Sequence, residues 1–286
     1  MSLEQSALVL EGGGLRGIYS AGVMDIFAEN NIMFPYVIGI SAGAINGLSY
    51  VSGQIGRNAK ITLQYVNDPR YLSLKRLFTS GSVFNFDFMF GELSHELEPF
   101  DFSAFEASPT RFVAVATNCI TGEAEYFEKG NCEYIYAATA ASGSMPLFSK
   151  PIGLNKEPFL DGGVGVPTGL PETLRQGYTK PVLVLTRAKG YRKKPVSKAT
   201  QALYKQAFRK YPAFLKKLLT LPDRYNSSLD TIDAQEKQGK IFVIRPQKPV
   251  DISRIEKNVQ KLEALYWEGR VETENILPAL KNYLEL

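Results

Sequence analysis

The stretch Ala7–Glu29, ALVLEGGGLRGIYSAGVMDIFAE, reads as three pieces. Ala7 to Leu10 is a short, wholly apolar run, as expected of a strand buried on both faces. Glu11 to Gly17 is a glycine loop containing G-x-G-x-x-G at Gly12, Gly14 and Gly17. From Gly17 to Glu29, Ile18, Ala21, Gly22, Asp25 and Ile26 recur at helical spacing. The next residues repeat the pattern, with Tyr36 to Ile40 (YVIGI) as a second buried strand and Ala42 to about Tyr50 as a small-residue helix. Strand, loop, helix, strand, turn and helix in that order predict a layered α/β fold with a mainly parallel sheet.

A glycine loop after a first strand has two chemical readings. One is a dinucleotide site serving an oxidoreductase, which needs an acid about 20 residues on, at the end of the second strand. Here that strand ends in Ser41, and Asp25 and Glu29 fall too early, so the confirming residue is absent. What stands there is Gly39-Ile40-Ser41-Ala42-Gly43, a G-x-S-x-G at a strand-to-helix turn. Glycines permit the crowded bend, and the helix start aims free N–H groups and a positive dipole end at the hydroxyl. Ser41 is therefore a candidate nucleophile. Acyl transfer to a serine passes through an oxyanion, and Gly12, Gly13 and Gly14 can bring backbone N–H groups close to it. Arg16 adds a positive charge able to meet a substrate phosphate. The same glycines also serve any tight strand-to-helix turn.

Serine chemistry needs a base. His95, the single histidine, lies among glutamates in GELSHELEPF and precedes every late position that a nucleophile-acid-histidine order would use. It reads as a surface helix residue. Asp161, in Phe159-Leu-Asp-Gly-Gly163, follows an apolar run and is trailed by Gly162 and Gly163, which let a strand end turn abruptly and present the carboxylate. Asp-Gly is equally an ordinary turn pair.

The 286 residues, 44% hydrophobic and 22% charged, can bury a sizeable core and carry no disorder signature. One domain over 1–286 is the simplest division, with a helix-rich remainder from 187 to 286. The uncharged run Asn30 to Gly56 is broken by Asn31, Pro35 and Asn46 and does not read as a membrane span. No secretory signal is expected at MSLEQ, and Cys119 and Cys132, without metal-ligand spacing, are expected as buried free thiols of a cytoplasmic protein. Phe112 to Thr117 and Ala124 to Phe127 predict a hairpin. Phe84, Phe86, Phe88 and Phe90 stand at period two, so an extended segment would show four rings on one face, as core strand or acyl pocket wall. Between Arg187 and Lys217 lie 11 Lys/Arg and no acid. Lys198, Lys205, Arg209 and Lys216 there follow helical spacing, and Leu203, Ala207, Tyr211, Phe214 and Leu218 mark another face. Such a segment suits an anionic membrane surface or a solvated helix packed on the sheet; no nucleic-acid module is present.

Taken together, Gly12 to Gly17, Gly39 to Gly43 and Asp161 to Gly163 resemble the patatin-like phospholipase family over residues 7 to about 186. Ala141-Ser-Gly-Ser-Met-Pro-Leu-Phe148 is also similar to the family's Ala-Ser segment. The resemblance implies a three-layer α/β/α fold and a Ser41–Asp161 dyad with the Gly12 to Gly17 loop, Arg16 included, as oxyanion hole. It further implies hydrolysis of lipid acyl esters, of phospholipase A or lysophospholipase type, without metal or cofactor. Where the family often has Asn-x-Pro after Asp-Gly-Gly, this chain has Val164-Gly-Val-Pro-Thr-Gly-Leu-Pro171. A non-catalytic lipid-binding protein on the same fold is the alternative.

Overall fold

A computed structural model describes residues 3–286; Met1 and Ser2, the start of MSLEQ, lie outside the described residues. Eight strands form one sheet: β1 (Ser6–Leu10), β2 (Tyr36–Ile40), β3 (Arg111–Asn118), β4 (Ala124–Glu128), β5 (Ile152–Leu154), β6 (Glu157–Asp161), β7 (Lys180–Val184) and β8 (Phe242–Ile244). β1, β2, β3, β7 and β8 are mutually parallel, in the order β8-β7-β1-β2-β3. The run β1 is buried at every residue, as is β2, because helices cover both faces. Leu8, Leu10, Val37, Phe112 and Ala114 pack under helices Ile18–Glu29, Ala42–Val51 and Val259–Leu284. The alternate residues, including Val9, Ile38, Ile40 and Val113, pack against Tyr225, Leu229 and Ile232 of helix Pro212–Lys237. Period-two alternation along the strands thus builds a three-layer α/β/α fold.

The pairing of β3 positions everything that follows. One of its edges carries the antiparallel β4, from Val113 opposite Glu128 to Thr117 opposite Ala124, which forms the expected hairpin. The other edge is divided: β2 runs parallel to it as far as Ile40 opposite Val115, and β6 runs antiparallel from Phe159 opposite Asn118 to Asp161 opposite Ala116. β2 and β6 therefore meet head-on at consecutive positions of the same strand.

The last helix closes the layer over helix Ile18–Glu29 by backbone contact. A Cβ on Gly22 would lie 2.3 Å from the Tyr266 carbonyl oxygen, and one on Gly269 would lie 2.3 Å from that of Tyr19. At the crossing, the Tyr266 hydroxyl donates to Asp25 at 2.7 Å and the Tyr19 hydroxyl to Glu272 at 2.8 Å. Asp25, too early for a ribose, serves this contact.

Three expectations are corrected. Val83 to Phe90 is not extended: Asn85 caps a helical turn, Phe86–Phe90, by accepting the Phe88 N–H at 3.3 Å. Helical spacing then stacks Phe86 on Phe90, while Phe88 turns away to lie under the Arg70 guanidinium. The basic stretch is broken at Phe208 to Tyr211, ahead of Pro212, so Lys198–Ala207 and Pro212–Lys237 are separate helices. Phe214 and Leu218 are buried with Phe208 and Cys119, whereas Leu203 is 53% exposed. Both thiols are free, but only Cys119 is buried; Cys132 is half-buried in the loop before helix Ile135–Gly143. Among the described residues no helix is long and apolar enough to cross a membrane.

If the whole chain unfolds as one unit, Gly269→Val should lower stability by about 3 kcal/mol through overpacking against backbone. Trp267 fluorescence, reporting the last helix, and far-ultraviolet circular dichroism should shift together in urea. Separate transitions would divide the chain into two units.

Candidate active site

Because β2 and β6 end against Val115 and Ala116, Ser41 and Asp161 emerge side by side although they are 120 residues apart. The Ser41 hydroxyl donates to Asp161 Oδ2 at 2.9 Å.

Ser41 takes φ 56° and ψ −123°, a conformation that L-residues rarely adopt. Steric crowding enforces it: a Cβ on Gly39 would come within 2.5 Å of Ala44 backbone, and one on Gly43 within 2.5 Å of the Leu10 carbonyl oxygen. The Ser41 carbonyl accepts from the Ala44 and Ile45 N–H groups at 3.0 and 3.2 Å, opening helix Ala42–Val51. Its own N–H donates to the buried Ser142 Oγ at 2.7 Å. Ser142 belongs to the Ala-Ser segment and ties helix Ile135–Gly143 to the strained turn.

Asp161 is held on every side. Oδ1 accepts the Gly163 N–H at 2.8 Å, the Asp161 N–H donates to the Ser144 carbonyl at 2.9 Å, and its own carbonyl accepts from the Thr117 hydroxyl at 2.7 Å. Burial holds its carboxyl above the usual carboxylate range; hydrogen bonds from Gly163 and Ser41, then the charges of Arg254 and Lys193, pull it partly back. After it, Gly162–Gly165 makes one helical turn, whose Val164 and Gly165 carbonyls accept from the Arg224 guanidinium of helix Pro212–Lys237. A Cβ on Gly162 would lie 2.0 Å from the Val115 carbonyl oxygen, where the two strand ends meet. Arg224 thus braces the turn where the Asn-x-Pro pattern is missing.

Gly12, Gly13 and Gly14 line a cavity of about 580 Å³ together with Ser41 and Asp161. Gly12 approaches closest: a Cβ there would stand 2.8 Å from Ser41 Cβ. Gly14, at φ +58°, lies against the Arg254 carbonyl, which accepts the Leu15 N–H at 3.2 Å. At the root of the loop, buried Glu11 accepts from the Thr186 N–H at 2.6 Å, the Thr186 hydroxyl at 2.9 Å and the Tyr225 hydroxyl at 2.6 Å. Arg16 also lines the cavity, with Nη1 on the Ile252 carbonyl at 3.3 Å. Its pKa is lowered to about 10 by burial and then by Arg187 and Arg254. Gly17 is elsewhere: it packs against Ala42, and its carbonyl accepts from the Asn46 amide at 2.8 Å.

A narrow apolar cleft of about 50 Å³ opens beside the same serine, lined by Leu15, Ile18, Ile45, Phe84, Phe86 and Met89. A second cleft of about 40 Å³ shares Ile45 and Met89 with it and is lined by Phe90 and Tyr136. Three of the four phenylalanines therefore face apolar cavities, as a helical turn rather than a strand. His95 is exposed and stacks on Phe102 at 4.9 Å, and it lines neither the cavity nor the clefts. Glu11 and Ser142 lie within the glycine-loop and Ala-Ser stretches without being singled out there, whereas Tyr225, Lys193 and Arg254 have no motif of their own. For Lys193 the density of basic residues around it was the available signal.

The model for patatin-like phospholipases matches residues 8–171, and one for a domain of unknown function (DUF6363) matches residues 211–285. The chain is similar to the uncharacterized protein YjjU of Escherichia coli K12, 25% identical over 279 residues, which are 93% of this chain and 75% of that protein. It is also similar to lysophospholipase nte1 of Emericella nidulans, 29% identical over 167 residues, 54% of this chain but only 10% of that protein's length. Among solved structures, VipD from Legionella pneumophila superposes with a TM-score of 0.46 at 14% identity, over 96% of this chain and 67% of that one. The patatin match takes in more than half of the chain, from β1 to beyond Asp161, and on that ground the chain belongs to the patatin-like phospholipase family.

Proposed function

We propose that this protein is a serine acyl hydrolase that cleaves fatty acyl esters of lipids, with Ser41 as nucleophile and Asp161 as its base. The observation that carries the reading is the 2.9 Å hydrogen bond between them at the wall of an open cavity. Asp161 Oδ2 takes the proton as Ser41 Oγ adds to the ester carbonyl carbon. Backbone N–H groups of Gly12 to Gly14 and of the start of helix Ala42–Val51 stand ready for the developing oxyanion. Gly17 is not among these donors. Asp161 then hands the proton to the departing alkoxide, and Ser41 retains the acyl group as an ester. Water, deprotonated by Asp161, releases the fatty acid and restores the serine. The apolar cleft beside Ser41 suits the acyl chain and the polar cavity suits the leaving alcohol.

We further propose peripheral contact with anionic bilayers through helix Lys198–Ala207, which has no buried residue and sets Leu203 at the cavity. Each basic side chain at such a surface contributes about 1 kcal/mol.

Wild type should react with a fluorophosphonate probe, and Ser41→Ala should abolish labelling and reduce ester turnover by on the order of 10⁴-fold. His95→Ala should leave turnover unchanged; loss there would revive a histidine mechanism. A base must be ionised to act, so kcat/KM should fall as pH drops through an apparent pKa above the ordinary aspartate value of about 4. A raised carboxyl pKa means that stability is greatest below the unfolded-state pKa and declines as pH rises through the folded one. At neutral pH, Asp161→Asn should therefore lose activity while its melting temperature stays at or above that of wild type. Ser142→Ala leaves the Ser41 N–H without its acceptor and should cost about 1–3 kcal/mol in urea denaturation. Co-sedimentation with anionic vesicles should drop when Lys198 and Lys205 are changed to Glu; equal binding to zwitterionic vesicles would remove the bilayer proposal.

A further inference from the structure

The cavity beside the dyad carries more positive charge than the protein itself neutralises. Arg16, Arg187, Lys193, Lys194 and Arg254 line it, against two carboxylates, Glu11 and Asp161. Both oxygens of Glu11 are taken by Thr186 and Tyr225, and those of Asp161 by Ser41 and Gly163. None of the five cations forms a carboxylate ion pair among the described residues. Arg16 is 6% exposed, and its Nε is buried without any hydrogen-bond partner. An unpaired guanidinium nitrogen at such depth costs free energy.

The same wall is poorly suited to a cationic head group. Tyr191 and Tyr225, whose faces would otherwise receive a quaternary ammonium, already carry the chain's own charges: Arg187 Cζ lies 4.7 Å from the Tyr191 centroid and Lys193 Nζ 3.8 Å from that of Tyr225. The cations are also held in place by backbone. Arg187 Nη1 donates to the Val250 carbonyl at 2.9 Å, and Asn226 brackets the Lys193 backbone at 2.8 and 3.0 Å. Arg254 is fixed at the glycine loop by its own carbonyl. Burial and then Arg254 push the Lys193 ammonium down to about 8, although Glu11 and Asp161 pull it partly back.

We propose that Arg16, Arg187, Lys193 and Arg254 form a subsite for a phosphate monoester dianion on the leaving alcohol, so that the preferred ester is an acylglycerol phosphate. Three of the four lie outside residues 8–171, and Arg254 comes from the stretch matched as a domain of unknown function. On this reading Arg254 from that stretch, with Arg187 and Lys193 from the segment between the two matched regions, adds head-group selectivity to a hydrolytic dyad carried by the patatin-like part of the chain. The proposal rests on the acyl hydrolase reading for its chemistry: the phosphate stays on the alcohol, and only the acyl ester bond breaks.

The experiment compares three substrates with one acyl chain, 1-acylglycerol 3-phosphate, its phosphocholine counterpart and the uncharged monoacylglycerol, in mixed micelles. Wild type should favour the first over each of the others by about tenfold or more in kcat/KM. Lys193→Met and Arg254→Met should collapse that ratio through a higher KM for the phosphate ester, and Lys193→Arg should restore it. A ratio near one in wild type, or one that the variants leave intact, overturns the proposal. A second arm needs no turnover: inorganic phosphate should raise the melting temperature of Ser41→Ala protein, and the added Lys193→Met change should remove the rise. Absence of that rise overturns the subsite even if esters are cleaved. A rise without lipid discrimination assigns the site to free phosphate and overturns the head-group assignment. Failure of the fluorophosphonate probe to label wild type would sink the hydrolase reading alone, with the phosphate arm still deciding the subsite.

Discussion

The sharing of one edge of β3 by two strands running toward each other is the constraint on which the rest of the molecule depends. Backbone hydrogen bonds set the register, and the register leaves Ile40 and Asp161 opposite neighbouring residues. A one-residue slip of β6 would turn Asp161 to the opposite face of the sheet. No side-chain interaction at the surface has that authority. The 2.9 Å contact between Ser41 and Asp161 is thus a product of sheet geometry, which many hydrogen bonds hold cooperatively. Ser142 and Thr117 refine it by pinning the two chain ends from either side.

Around that junction the sequence gives up volume to bring backbone close. Gly39 and Gly43 allow the strained serine turn, and Gly22 and Gly269 let the last helix settle on the first. The glycine loop is gripped at both its ends by residues from 186 onward: Glu11 ties it to Thr186 and Tyr225, and the 250–254 strap ties it through the Ile252 and Arg254 carbonyls. The large cavity draws its dyad and Arg16 from the patatin-like region, Arg254 from the second matched region, and Arg187, Lys193 and Lys194 from the segment between them.

What was legible in the sequence follows from how local the cause is. The first two strands, their helices and Ser41 are legible because apolar runs, helical spacing and paired glycines act over a few residues. Asp161 is legible as a strand-end carboxylate, but its partner is decided by register, which no local pattern encodes. Period two in Val83 to Phe90 misleads because one Asn cap outweighs four rings; the same rings satisfy helical i, i+4 spacing. The basic stretch looks like one helix until Pro212 is weighed against it. Gly17 fits the loop motif in sequence, yet in space it serves the packing of the nucleophile's helix. Ser142 is legible only as part of the Ala-Ser segment, and Tyr225 and Arg254 act through long-range contacts that nothing near them in the chain announces.

The strap at 250–254 also carries a consequence in time. A ribosome releases the strands that bring the serine and aspartate together well before it reaches residue 254. Until that strap is synthesised, the glycine loop is tied through Glu11 to Thr186 and Tyr225 but lacks its second clamp, and the cationic wall lacks one of its members. On the proposed reading, a polypeptide that stops short of residue 254 carries both reacting side chains but lacks part of its grip on substrate.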